Sequence, residues 1–195
     1  MRAGADGRIA HRDLHLARLR RDCRAVGFPL DMAAVGTALD AVPAGAELRL
    51  RLSVDQAGRI AIERAPRPDN PAFWRVAVAG PRLCSGDPWL RVKTSHRPVY
   101  DAARAALAPG VDEAILLNER DEICEGSITS LFLRRGGVLL TPPLSSGLLP
   151  GVLRAALIAS GAAREAVLRR ADLDGAGLLC GNALRGLIPA RLVAT

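Results

Sequence analysis

The run LRLRLSV at residues 48–54 restricts this chain more than any other stretch. Leu48, Leu50, Leu52 and Val54 alternate with Arg49, Arg51 and Ser53, a period of two that belongs to a strand. DQAG then turns the chain into RIAIE, so the two runs predict a hairpin. Ahead of it the period is helical. Leu16, Leu19, Cys23 and Val26 recur at spacings of three and four, which predicts a helix over 11–26, and Gly27 stands where a C-terminal cap belongs. Asp31 is placed to cap a second helix running to about Val42, where Pro43 ends it. APRPDNP reads as a loop and Phe73–Ala79 as a strand.

Beyond the Gly/Pro-rich GPRLCSGDP the organisation changes. WLRVK predicts a short strand leading to Lys93, and PVYDAARAAL a helix. EAILLN, ITSLFLRR and GVLLT read as strands, with a tight RRGG turn between the last two. LPGVLRAALIASG reads as a helix entered through a Pro-Gly turn and closed by Gly161. A strand near EAVLRR, a short helix near DLDGA and strands near GLLCGN and IPARLV complete the chain. The pattern is α+β rather than regular βαβ alternation, with a small N-terminal α/β domain over 1–85 and a larger domain over 86–195.

With 195 residues, 49% hydrophobic and 24% charged, the composition is that of a globular protein. No apolar run approaches the roughly 18 residues of a membrane span. MRAGADGRIAHRD lacks an apolar leader, so the expectation is a cytoplasmic protein without a membrane partner. The net charge of +7 could suit a nucleic acid, but the arginines are scattered and six aromatic residues offer little stacking surface, so none is expected. Cys23, Cys84, Cys124 and Cys180 are far apart and His11, His15 and His96 add no ligand spacing, so no metal is expected and the cysteines read as small buried hydrophobes.

Of the 27 cations, 26 are arginine and one is lysine, Lys93. Arginine keeps its proton in a protein, whereas a lysine amine can lose it and form a Schiff base with an aldehyde or ketone. Composition alone leaves room for a plain surface lysine. The neighbourhood of Lys93 narrows the choice.

HLARLRRDCRAVGF (15–28), KTSHR (93–97), EGSITSLF (125–132) and LPGVLR (149–154) occur in that order, with TPPLSSGLLPG (141–151) and a closing CGNALRG (180–186). Together they resemble the class IV aminotransferases, the fold-type IV pyridoxal-phosphate enzymes, over roughly residues 13–190. That family includes branched-chain and D-amino-acid aminotransferases and 4-amino-4-deoxychorismate lyase, and CGNAL looks most like the lyase branch. The resemblance implies a two-domain fold of the D-amino-acid aminotransferase kind, with a shortened N-terminus because only about a dozen residues precede the first helix. It further implies pyridoxal 5'-phosphate, a small-molecule amine substrate and a homodimer.

Residue roles follow from the same resemblance. Lys93 would hold the cofactor aldehyde as a Schiff base and then move protons as general acid and base. Glu125 would pair with the pyridine nitrogen and keep it protonated, although the acidic run DEICEG also suits a solvated turn. Arg18 matches the phosphate arginine. The amides of Gly151, Val152 and Leu153 would face the phosphate at a helix start, and Asn182 and Ala183 match the last phosphate-side turn. Arg97 matches an arginine of lyase-like members that could grip a substrate carboxylate, and a structural ion pair is the alternative. His15 reads as structural, and His96 as a turn-exposed histidine or a proton carrier.

The departures also count. Ser130 stands where many members have Asn, and Ala183 lacks the usual hydroxyl. Pro98 occupies the position, five after the lysine, that is tyrosine in branched-chain transaminases; Tyr100 is out of register with it. No Arg-x-His clamp of the D-amino-acid transaminase kind is present. The expected activity is therefore a lyase releasing pyruvate and p-aminobenzoate for folate synthesis. An aminotransferase is the alternative, and a shortened non-catalytic member the second alternative.

Overall fold

The computed structural model describes residues 1–174 and 177–193. In it the chain forms two units, Met1–Asp69 with Ala183–Arg185, and Asn70–Asn182 with Gly186–Thr195.

The first unit is built on the hairpin. Strand β1 (Arg2–Ala3) precedes helices α1 (Arg12–Val26) and α2 (Met32–Asp40), and β2 (Leu48–Val54) and β3 (Ile60–Pro66) follow. β2 and β3 pair antiparallel from Leu48 opposite Pro66 to Val54 opposite Ile60, and β1 adds antiparallel to β2. The residues ahead of α1 thus hold a strand that the reading above did not assign. Gly27 closes α1 at φ +71°, donating to Arg24 O while Phe28 N reaches Cys23 O. Asp31 caps α2 through bonds from the Ala33 and Ala34 amides at 2.9 and 3.0 Å. Ala3, Val42 and Leu50 are buried together beneath Met1, Ile9 and Leu48.

The second unit is an eight-stranded sheet in the order β6-β5-β4-β11-β10-β7-β8-β9. Its strands are β4 (Trp74–Leu83), β5 (Glu113–Asn118), β6 (Ile123–Gly126), β7 (Ser130–Arg135), β8 (Val138–Thr141), β9 (Ala163–Glu165), β10 (Gly177–Asn182) and β11 (Gly186–Leu192). Helices α3 (Pro98–Ala105) and α4 (Val152–Ala159) complete it. All six residues of β5 are buried, so the sheet carries apolar layers rather than a solvated face here. Trp74, Ile115, Ile123, Leu131 and Ile188 form one layer, and Leu83, Leu90, Ala103, Leu116 and Leu148 another.

Several expectations change against this fold. The larger unit begins at Asn70 rather than residue 86, because β4 pairs with β5 and β11 and so belongs to its sheet. WLRVK is not a strand: Pro88–Arg91 is a 3-10 turn started by proline and capped by Asp87, which accepts from the Trp89 amide. Of EAVLRR only Glu165 belongs to a strand, at the end of β9, and Arg169 adds an isolated antiparallel bridge to Glu122. Near DLDGA a 3-10 turn spans Arg170–Leu173, and Gly175 and Ala176 lie outside the described residues. β6 was hidden in the acidic run. Cys84 is exposed while Cys23, Cys124 and Cys180 are buried.

Candidate active site

The larger unit's candidate site is built around Glu125 on β6. β6 has four residues, all buried, so this carboxylate is only 5% exposed. Burial pushes its pKa up to about 7. Three groups pull the other way: a 2.6 Å hydrogen bond from Tyr100 Oη, a 3.0 Å bond from the Leu149 amide, and the charge of Lys93. Nearby Glu113 raises it again. Both hydrogen bonds end on Oε1, and Oε2 has no hydrogen-bond partner among the described residues.

Lys93 follows the Pro88–Arg91 turn in an irregular, exposed segment. Leu90 anchors that turn in the core, and Arg91 Nη2 bonds Leu144 O at 2.6 Å. The loop carrying Leu144 runs on to Leu149, so the segments holding Lys93 and Glu125's amide donor are tied to each other. A second carboxylate fixes the same loop. Glu122 accepts from Asn118, Arg120 and Ser146, and these bonds hold its pKa down at about 2.

Gly126 has a steric reason to be glycine. A Cβ there would overlap Thr129 Oγ1 and stand 2.8 Å from Glu113 Oε2. Glu113 is fully buried and organises the turn after β6, accepting from the Ser127 and Ile128 amides and the Ser127 and Thr129 hydroxyls. Sequence reading passed over Glu113, whose position in an apolar strand was the available signal.

At α4, Gly151 is the N-cap residue and no side chain caps the helix. Its first amides thus remain the open donors of a helix start. A Cβ on Gly151 would come within 2.6 Å of Ser130 Oγ, so that hydroxyl lies at the helix entrance. Ser130 is buried, opposite Gly181 on β10, and its hydroxyl makes no hydrogen bond to a described residue. Leu153 packs where a Cβ on Gly181 would sit. Asn182, next along β10, donates to Ile128 O at 3.3 Å. The larger unit therefore brings Lys93, Glu125, Gly151–Leu153 and Asn182 onto connected elements, and adds Ser130 and Tyr100.

Arg97 is held by its neighbours. Nε bonds Asp101 at 2.8 Å, Nη2 bonds Ser127 O at 2.8 Å, and the guanidinium lies over the Tyr100 ring at 5.2 Å. His96 is exposed, with its ring 4.8 Å from that of Trp89.

The remaining expected residues belong to the first unit. Arg18 is partly buried on α1, and its guanidinium makes no hydrogen bond or ion pair with a described residue. His15, one turn earlier, has a buried Nε2 with no partner, and burial beside the Arg18 charge drops its pKa to about 3. Ala183 opens the turn after β10 and offers only backbone.

An aldehyde-bearing, phosphorylated pyridine fits the larger unit's residues. They supply a lysine, a buried carboxylate with one oxygen to spare, and an uncapped helix start lined by a hydroxyl. Known proteins agree with that chemistry. Residues 1–193 match the family described as amino-transferase class IV. A Schizosaccharomyces pombe protein provisionally named an aminodeoxychorismate lyase is 23% identical over 199 residues, covering 96% of this chain and 86% of that one. A solved structure from Mesorhizobium loti, provisionally named an amino-acid aminotransferase, is 42% identical with a TM-score of 0.90, covering 99% and 97% of the two chains. The 4-amino-4-deoxychorismate lyase of Pseudomonas aeruginosa is 25% identical with a TM-score of 0.78, covering 98% and 81%.

Proposed function

This chain belongs to the class IV aminotransferase family of pyridoxal-phosphate-dependent enzymes, and from that premise we propose that it is a lyase of the aminodeoxychorismate kind. It would split its substrate into pyruvate and p-aminobenzoate, an elimination that leaves an aromatic ring and serves folate synthesis. The observation that carries this reading is the start of α3. Pro98 occupies its first turn, and the phenol of Tyr100 is committed to Glu125. The transaminase-like tyrosine five residues after the lysine is therefore absent, and no other phenol replaces it. A lyase has no second half-reaction with a keto acid to accommodate. The S. pombe relative, matched along nearly the whole chain, supports the same choice.

Bound pyridoxal phosphate supplies an aldehyde that condenses with amines and a ring that accepts electrons. Lys93 Nζ would be the amine that holds the aldehyde until substrate arrives, and then the base for the substrate's ring proton. Glu125 Oε2 would accept the pyridine N–H and keep that proton in place. The amides of Gly151, Val152 and Leu153 would bind the phosphate with the positive end of α4, joined by the Ser130 hydroxyl and Asn182. Arg18 and Ala183 are assigned to the phosphate by the resemblance alone, and Ala183 has only its backbone to offer. Arg97 keeps Nη1 for a substrate carboxylate, since Nε and Nη2 are engaged.

Amino-group exchange is the second reading, favoured by the 42% identity to the Mesorhizobium loti protein. Turnover of aminodeoxychorismate separates the two. The lyase predicts pyruvate and p-aminobenzoate over many turnovers with no keto acid present; a strict need for a keto acid selects the aminotransferase. A homodimer belongs to the same proposal, supported by the exposed apolar side chains of Trp89, Ile128 and Val167. Sedimentation at the 20.6 kDa monomer mass would remove it.

A further inference from the structure

The chain has one tyrosine, Tyr100, and the structure spends its hydroxyl on Glu125. The phenol is held from several sides. Its ring packs against the layer of Leu83, Leu90, Ala103 and Leu148, and the Arg97 guanidinium lies over it at 5.2 Å. Oη donates to Glu125 Oε1 at 2.6 Å, where the Leu149 amide also donates at 3.0 Å. Two donors on one oxygen leave the other as the acceptor for an incoming N–H. Tyr100 itself is a poor acid, because burial and the neighbouring carboxylate push its ionisation above the ordinary phenol range. It therefore stays an O–H donor.

We infer that Tyr100 is a positioning residue for the cofactor's ring nitrogen: its donation to Oε1 holds negative charge on Glu125 and presents Oε2 to the ring N–H. This rests on the reading of Glu125 as the nitrogen's partner. The physical argument concerns a shared proton. Between a pyridine nitrogen and a buried carboxylate, the proton sits on whichever group is the stronger base in that setting. A buried carboxylate is made a stronger base by desolvation, which by itself draws the proton off the ring. A hydrogen bond to the charged form weakens the carboxylate as a base and returns the proton to nitrogen. Other charges facing Glu125 divide in sign. Lys93 acts with Tyr100, Glu113 acts against it, and the Arg97 guanidinium lies over the phenol ring. Of these, Tyr100 and the Leu149 amide touch the carboxylate by hydrogen bonds, and only Tyr100 does so with a side chain.

The test uses holoenzyme reconstituted with pyridoxal phosphate labelled with 15N in the ring, comparing wild type, Tyr100→Phe, Glu125→Gln and the double variant. The ring 15N shift at neutral pH reports where the proton sits and does not depend on turnover. Phenylalanine keeps the ring packing, and matched melting temperatures verify the fold. The expected result is a protonated nitrogen in wild type, a shift part of the way towards the unprotonated value in Tyr100→Phe, and a full shift in Glu125→Gln. The double variant is expected to match Glu125→Gln, because Tyr100 acts through that carboxylate. A wild-type shift in Tyr100→Phe alongside a moved shift in Glu125→Gln overturns the inference and leaves the role of Glu125 standing. An unmoved shift in Glu125→Gln overturns both.

Discussion

Glu125 and His15 are titratable groups that burial pushes in opposite directions, and each leaves a signature in stability. Unfolded, Glu125 releases its proton near 4.5; folded, and without cofactor, it keeps the proton to about 7. Between those values only the folded chain binds it, so this residue's contribution falls as pH rises. His15 has the other sign. Its imidazole stays neutral down to about 3 against an ordinary 6.5, so the unfolded chain binds more protons in that window and stability rises with pH. The Glu125→Gln substitution isolates the first effect. Melting temperatures of the cofactor-free protein, followed from pH 4.5 to 7.5, are expected to show the wild type losing ground to the variant as pH climbs. A difference that stays constant across that range would contradict the burial argument.

At the scale of elements, legibility follows the range of the interactions. The β2–β3 hairpin and α1 were readable because their apolar periods repeat within a single short stretch, with turn and cap residues to bound them. β6 was not, because ICEG is four residues long and includes a charge that sequence alone assigns to solvent. WLRVK suggested a strand until Pro88 and Asp87 supplied the start of a 3-10 turn. The site divides in the same way. Lys93 stands out by composition, and Glu125 and the α4 amides come with a motif. The bond from Tyr100 to Glu125 spans 25 residues of sequence and carries no local pattern. Ser130 looked like a defect in that motif, yet the fold puts its hydroxyl at the entrance to α4.

Over the whole molecule, the arginine-rich composition makes the chemistry unusually easy to isolate. With 26 arginines and one lysine, any Schiff base formed through a lysine side chain must form at Lys93, and any tyrosine signal reports Tyr100. No helix among the described residues is long and apolar enough to cross a membrane. The family gives the cofactor, and the larger unit supplies a lysine, a carboxylate and a helix start that suit it. What joins these parts is the claim that Lys93 is the covalent attachment point. The direct measurement is the visible absorbance spectrum of purified protein mixed with pyridoxal phosphate, beside Lys93→Ala, before and after borohydride. The account predicts a visible band in wild type alone, abolished by reduction, with the label fixed on the peptide that contains residue 93. Identical spectra for the two proteins would contradict it.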